Sequence, residues 1–222
     1  MASFRDRREA GQLLAKDLAH YVGRTDLLVL ALPRGGVPVA FEAAKALPAP
    51  LDVFLVRKLG VPGHEELAMG ALASGGVRVL NGSVVSSMGI PQETIERVAA
   101  REQKELERRE RAYRGDRPWP EVRNRTVILI DDGLATGATM RAAVAAVRQR
   151  GPARIVVAVP TASPDAVALL EREADEVVAH MVPMSFYAVG QWYNDFAQTT
   201  DEEVRSLLEK AASLLAEERD IR

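Results

Sequence analysis

The sequence predicts an α/β protein with a mainly parallel sheet and helices on both faces. Short apolar runs at 27–32, 51–56, 127–130, 155–159 and 176–181 alternate with stretches of helical periodicity. Parallel strands covered on both faces read as continuous apolar runs rather than as alternating ones. Several runs also end in turn residues that open the following helix, as at Pro33-Arg34-Gly35-Gly36 and Asp131-Asp132-Gly133.

In chain order, Ala10, Leu13, Leu14, Leu18 and Tyr21 recur at helical spacing among charges, which predicts an amphipathic first helix. The run 27–32, its Pro-Arg-Gly-Gly turn and a helix over 37–47 make the first strand–loop–helix unit. The second run, 51–56, stops at the basic pair Arg57-Lys58. Residues 92–113 are mostly charged, with Glu93/Arg97, Glu105/Arg109, Glu107/Arg111 and Glu110/Arg114 spaced for helical ion pairs, and predict a long solvated helix. Because both signs alternate along it, a surface helix is favoured over a nucleic-acid interface. The run 127–130 leads through a polar turn into a helix from Thr139 to 150, with Gly151 as its C-cap. A helix beginning after Pro164 separates the last two strands.

The chain has 222 residues, a size that normally makes one domain, and neither repeats nor a low-complexity linker divides it. Its 29 basic and 31 acidic side chains nearly cancel, which points away from nucleic acid and membrane surfaces as partners. Cysteine is absent, so disulfides, thiolate metal sites and cysteine nucleophiles are excluded together. His20, His64 and His180 are far apart in sequence, which argues against zinc. The first residues carry charges without a following apolar region, and no stretch is long and apolar enough to span a bilayer; a cytoplasmic protein is expected.

The chemistry concentrates in residues 127–139, Val-Ile-Leu-Ile-Asp-Asp-Gly-Leu-Ala-Thr-Gly-Ala-Thr. Backbone N–H groups at a strand-to-helix turn converge on a concavity that favours phosphate. Gly133, Gly137 and the alanines allow close approach of that backbone, and Thr136 and Thr139 add hydroxyls. Asp131 and Asp132 are placed to accept hydrogen bonds from vicinal hydroxyls; without a ligand the adjacent carboxylates would repel one another. A sugar phosphate satisfies both halves. The Gly-Lys-Ser/Thr of a nucleotide P-loop is missing, and the glycine spacing is not that of a dinucleotide fingerprint.

This segment resembles the signature with which type I phosphoribosyltransferases bind 5-phosphoribosyl-1-diphosphate (PRPP), and the similarity extends in weaker form over nearly the whole chain. The resemblance implies that Asp131 and Asp132 hold the ribose hydroxyls while Gly133, Leu134, Ala135, Thr136, Gly137, Ala138 and Thr139 cradle the 5-phosphate. Gly133 departs from the pattern, where an aliphatic or small side chain is usual. Pro33-Arg34-Gly35-Gly36 is similar to the family's diphosphate loop, and a cis peptide between Pro33 and Arg34 is expected by that similarity. Arg57 and Lys58 stand where relatives often carry a basic residue for the diphosphate. Asp131, Asp132, Lys58 and Arg34 are thereby the catalytic candidates.

Residues 60–76 lie where the family has a flexible loop or hairpin that closes over PRPP and excludes water. His64 and Glu65 fall within it, although a lone loop histidine is more often a surface residue. Residues 182–200 correspond to the hood. There Phe186, Tyr187, Trp192, Tyr193 and Phe196 crowd together, and flat side chains suit a planar heterocycle. Phe186, Tyr187 and Trp192 are the acceptor-binding candidates, against the alternative that the cluster packs on the sheet or on a partner subunit. Purine enzymes usually present a lysine to the base after the penultimate strand; residues 159–163 contain none, which speaks against hypoxanthine or guanine.

The implied reaction transfers the phosphoribosyl group to a nitrogenous acceptor with release of diphosphate. Mg²⁺ is carried mainly by PRPP, with Asp131 or Asp132 as further contacts, and a homodimer is the usual assembly of relatives. Two rivals stay open: a non-catalytic regulator that keeps the fold as a PRPP or nucleotide sensor, and a hydrolase that sends the sugar phosphate to water.

Overall fold

The computed structural model describes residues 3–115 and 117–221, without the side chains of Glu66 and of residues 219–221. Its frame is a five-stranded parallel sheet built from β1 (Leu27–Ala31), β2 (Leu51–Val53), β6 (Thr126–Ile130), β7 (Arg154–Thr161) and β8 (Glu176–Met181), in the order β2-β1-β6-β7-β8. The α/β class read from the apolar runs is the one observed. Side chains of successive strand residues face opposite ways. Leu27, Val29, Ala31, Ile128 and Ile130 therefore pack beneath α1 (Arg7–Asp17) and α2 (Gly36–Ala46). Leu28, Leu30, Val127 and Leu129 meet α5 (Ala138–Arg148) and α6 (Pro164–Leu170) on the other face.

The strand order places a topological switch point between β1 and β6. From β1 the chain winds outward to β2, whereas from β6 it winds the other way to β7 and β8. Helices leaving β1 and β6 depart on opposite faces, so the two loops at those strand ends diverge around a crevice, the usual ligand position in open α/β sheets. Ala31 pairs with Ile130, which sets Pro33-Arg34-Gly35-Gly36 directly beside Asp131-Asp132.

The apolar run 51–56 is not one strand. Phe54 and Leu55 carry the chain out of the parallel sheet, Phe54 N–H donating to the Ala31 carbonyl and Leu55 N–H to Ser74 Oγ. A second, antiparallel sheet follows, formed by β3 (Val56–Val61), β4 (His64–Ala73) and β5 (Val77–Leu80). Of the flexible loop or hairpin expected over residues 60–76, the structure has the hairpin, turning at Pro62-Gly63 with register shifts on either side of Gly60. Its small residues serve close packing. A Cβ on Gly70 would lie 2.5 Å from the Val79 carbonyl oxygen of β5.

A short helix, α3 (Gly82–Ser87), leads into α4 (Gln92–Arg114). The long charged helix is not solvated all round. It buries Ile95, Val98, Ala99, Glu102, Leu106 and Tyr113, and its last arginine, Arg114, is buried against Asp52 at 3.0 Å and stacked 3.9 Å from Trp119. Of the ion pairs read from spacing, Glu105 with Arg109 is formed at 2.8 Å. Residues 182–200 form irregular chain with a single 3₁₀ turn at Val189–Trp192 and cross the start of the molecule: Asn194 and Asp195 N–H donate to the carbonyls of Phe4 and Arg5. A final helix, α7 (Asp201–Ile221), buries Val204 and Leu208 against α2. Among the described residues no helix is long and apolar enough to cross a membrane.

Candidate active site

The acidic pair sits at the carboxyl end of β6. Asp132 N–H donates to Asp131 Oδ1 at 2.8 Å, which turns the first carboxylate back over the strand end. Burial raises the pKa of Asp131 well above the ordinary carboxylate range, and the neighbouring Asp132 charge raises it further. Burial also raises Asp132, but there the Arg7 guanidinium opposes the shift. Arg7 thus supplies Asp132 with a cationic partner, while Asp131 accepts from the Asp132 N–H.

After the pair the chain is pinned to β7. Leu134 N–H donates to the Thr161 carbonyl, Ser163 N–H to the Leu134 carbonyl, and Ser163 Oγ–H to the Ala135 carbonyl. Gly137 then takes φ +70°, a conformation that a side chain disfavours, and turns the chain into α5. Its N-cap, Gly137, makes no side-chain cap bond, and Thr136 Oγ1 accepts from the Ala138 N–H at 3.4 Å, while Ala135, Thr136, Ala138 and Thr139 are exposed. A helix N-terminus with a glycine N-cap behind an exposed Gly/Ala/Thr loop has the geometry and dipole direction that suit an anion.

The departure at Gly133 has a packing reason. A Cβ there would lie 2.6 Å from Val189 Cγ1 of the hood and 3.2 Å from Thr161 Cγ2, so Val189 fills the volume that a larger residue at 133 would take. Gly133→Ala is therefore expected to cost about 1–3 kcal/mol by overpacking, and Val189→Ala in the same chain should recover most of it. Urea denaturation of the single and double variants measures this; an unchanged midpoint for Gly133→Ala would show that the hood does not rest on the loop.

On the β1 side, the Pro33–Arg34 peptide is cis. Gly35 and Gly36 press against the acidic segment: a Cβ on Gly35 would fall 2.0 Å from Asp132 Oδ2, and one on Gly36 2.7 Å from the Ile130 carbonyl oxygen and 2.9 Å from Asp131 Cα. Arg34 faces α7, 3.5 Å from Asp201. Asp201 also accepts from the Tyr113 hydroxyl at 2.7 Å, and burial followed by that bond pushes the Tyr113 pKa up to about 12.

The basic pair on β3 is divided by the pleat. Arg57 turns to α4 and makes two bonds, 2.6 and 3.0 Å, with the buried Glu102, so its guanidinium is committed to the helix rather than to the strand end. Lys58 points to the opposite face and lines a groove of about 750 Å³ between the hairpin and α5, with Val56, Gly70, Ala138 and Thr139. Arg57 is thus held by α4, whereas Lys58 shares its groove with Ala138 and Thr139.

The hood aromatics also separate. Tyr187 is 87% exposed and Phe186 half-buried, its ring 6.1 Å from that of Trp192. Trp192 is buried with Phe4, Ala10 and Tyr193 and forms the hood's own core, the packing alternative read from the sequence. His64 is exposed on the hairpin, away from any described acidic cluster, and among the described residues no group of three or more His, Cys, Asp or Glu could hold a metal ion.

One site residue escapes a reading by motif. Arg7 Nε–H donates to Asp132 Oδ2 at 2.8 Å, with both side chains largely buried, from a helix at the far end of the sequence. A trace of it is present in the sequence, since Arg7, Gly11 and Leu14 share one face of α1. Gly11 and Leu14 are buried, and an arginine on the buried face of an amphipathic helix points to a buried anion.

Residues 7–181 match the phosphoribosyl transferase domain family model. Over 217 residues, 98% of this chain, the sequence is 46% identical to Rv0571c of Mycobacterium tuberculosis H37Rv and equally to MT0597 of strain CDC 1551, both provisionally named as phosphoribosyl transferases. The match covers 49% of each, so the chain spans about half the length of the curated relatives it matches. The crystal structure of TT1426 from Thermus thermophilus is 50% identical and superposes with a TM-score of 0.85, covering 95% of this chain and 99% of that one. The crevice at the β1–β6 switch point therefore lies in a known lineage: this chain belongs to the phosphoribosyl transferase domain family.

Proposed function

We propose that the chain transfers the 5-phosphoribosyl group of PRPP to a nitrogenous acceptor and releases diphosphate. The observation that carries this reading is the junction of an enclosed carboxylate pair with a glycine-capped helix N-terminus, Asp131-Asp132 running into 133–139 at the start of α5. Family membership supports it. In this reading the carboxylates accept hydrogen bonds from the ribose hydroxyls, the loop amides and the Thr136 and Thr139 hydroxyls take the 5-phosphate, Gly35, Gly36 and Lys58 face the diphosphate, and Arg34 exchanges its 3.5 Å pair with Asp201 for it.

The C1–O bond breaks with its electron pair leaving on the diphosphate, and the acceptor nitrogen supplies the pair for the new C1–N bond. Positive charge develops at C1 near two carboxylates, and negative charge develops at the leaving group near Arg34 and Lys58. Fixed charges aimed at where charge develops lower the barrier without a protein nucleophile. Asp131 and Asp132 would be the carboxylate oxygens available to a Mg²⁺ carried by PRPP, which would supply neutralisation of the diphosphate charge.

Tyr187 and Phe186 are the flat surfaces left to the acceptor. Tyr187→Ala is expected to raise the acceptor KM by about 3–10-fold while leaving that for PRPP within about twofold, because stacking acts on one substrate only. Equal losses for both substrates would place the ring in the scaffold instead. The acceptor itself is found by incubating the chain with PRPP, Mg²⁺ and a panel of purines, pyrimidines and other nitrogen heterocycles, read as diphosphate release. Release that depends on one class of acceptor supports the proposal; release without any acceptor would make the chain a hydrolase.

A further inference from the structure

Asp132 is engaged from two sides before any substrate is present. Arg7 donates to its carboxylate, and the Tyr193 hydroxyl donates at 2.6 Å to its backbone carbonyl. The same Arg7 guanidinium reaches into the hood: its second nitrogen donates at 2.7 Å to the Ala197 carbonyl, and its carbon stands 4.0 Å above the centre of the Phe196 ring. Tyr193 and Phe196 pack ring to ring at 5.1 Å, and Tyr193 lies against Phe4 at 5.3 Å. One arginine thus joins the carboxylate assigned to the ribose to both aromatics that close the end of the hood.

We propose that Arg7 is a positioning residue that couples the ribose-binding carboxylate to the hood, so that occupancy of the PRPP site sets the placement of the acceptor surface. The inference rests on the PRPP reading of the site. The chemistry follows from the shape of the guanidinium. Its edge offers several N–H donors in fixed directions and its face stacks on aromatics, so one side chain can hold a carboxylate, a carbonyl and a ring together. A ribose hydroxyl that donates to Asp132 draws on the same carboxylate as Arg7 and changes how firmly Arg7 is held. Because the other contacts of Arg7 are in the hood, that change passes to Phe196 and Tyr193 and onward to Trp192, which shares the cluster of Tyr193. Lysine in place of Arg7 would keep a cation near Asp132 but has neither the second directed donor nor a planar face, so it separates the two duties.

The chain contains two tryptophans, which supplies a readout. Trp192 is buried in the hood, whereas Trp119 stacks on Arg114 and packs edge-on against Phe54 near the second sheet. With 5-fluorotryptophan incorporated, PRPP and Mg²⁺ are titrated into wild type, Arg7→Ala and Arg7→Lys, and binding is measured by calorimetry beside the two ¹⁹F resonances. Wild type is expected to bind PRPP and shift the Trp192 signal more than that of Trp119. Arg7→Ala should bind PRPP about tenfold or more weakly and, at saturation, leave the Trp192 signal nearly unmoved. Arg7→Lys should recover affinity to within about threefold without recovering the shift. An Arg7→Ala chain that binds and shifts as wild type does would overturn the coupling, as would a Lys variant that restores both. Failure of the wild type to bind PRPP at all would overturn the site reading and this inference with it, a result distinguishable from the others at the first titration.

Discussion

Asp131→Asn and Asp132→Asn are each expected to lower kcat/KM for PRPP by about 10²–10³-fold, and to move the stability of the ligand-free protein in opposite directions. The catalytic loss has one cause in both, since asparagine keeps the shape but removes the negative charge that faces C1 and weakens the hydrogen bonds to the ribose hydroxyls. The stability effects differ because the two carboxylates are held differently. Asp131 is enclosed beside a like charge, so its pKa in the folded chain is raised above the unfolded value of about 3.9. Folding then takes up a proton between those two values, and the stability of the empty protein falls as the pH rises through that window. Asparagine has no such proton to lose and can keep the bond from the Asp132 N–H. Asp131→Asn should therefore raise the melting temperature at pH 7 by about 2–4 °C, a trade of activity for stability. Asp132→Asn leaves Arg7 buried without its counter-charge and should lower stability by about 1–3 kcal/mol. Calorimetry at pH 7 and pH 4 beside steady-state kinetics measures both; a lower melting temperature for Asp131→Asn would contradict the buried-charge account.

Gly36→Ala is expected to reduce kcat/KM by about 100-fold, because a shift of about 1 Å in a positioning element costs that much. The added methyl would stand 2.7 Å from the Ile130 carbonyl oxygen and 2.9 Å from Asp131 Cα. Both are backbone atoms at the end of a central strand, where Ile130 is buried and its carbonyl accepts from the Leu32 N–H at 2.8 Å, so they have little room to yield. The strain must be relieved by moving the Pro-Arg-Gly-Gly turn away from the acidic pair, which separates the groups facing the diphosphate from those facing the ribose. The loss should appear in kcat as well as in KM for PRPP, with the hood and its acceptor preference unaltered. A variant with normal kinetics would show that the two loops need not approach this closely.

What the sequence disclosed and what it concealed follow from the range of the interactions. The parallel sheet was legible because strands buried on both faces are apolar throughout, and residues 127–139 were legible because the strand, the carboxylates and the anion loop are contiguous. Pro33-Arg34-Gly35-Gly36 needed only the position of one strand end. Over 60–76 the sequence left loop and hairpin open, because the close approach of β5 that its glycines serve comes from pairing with residues 77–80. Arg57 and Lys58 are equivalent in sequence, and only the pleat of β3 together with Glu102, 45 residues away, distinguishes them. Trp192 is aromatic like Tyr187, yet Phe4 from the other end of the chain turns it into core. Arg7 lies 125 residues from Asp132, beyond the reach of any local motif, and only its place on the buried face of α1 hinted at a partner.

Transfer of the phosphoribosyl group is tested most directly by single-turnover release of diphosphate, with PRPP affinity measured in parallel by calorimetry. With Mg²⁺, PRPP and an acceptor from the responsive class, wild type should bind PRPP and release one diphosphate per site with formation of a stoichiometric C1–N product, and Asp132→Asn should lose most of that release. Binding of PRPP by wild type with no diphosphate released in the presence of any acceptor of a broad panel would contradict the transferase account and leave a PRPP sensor in its place.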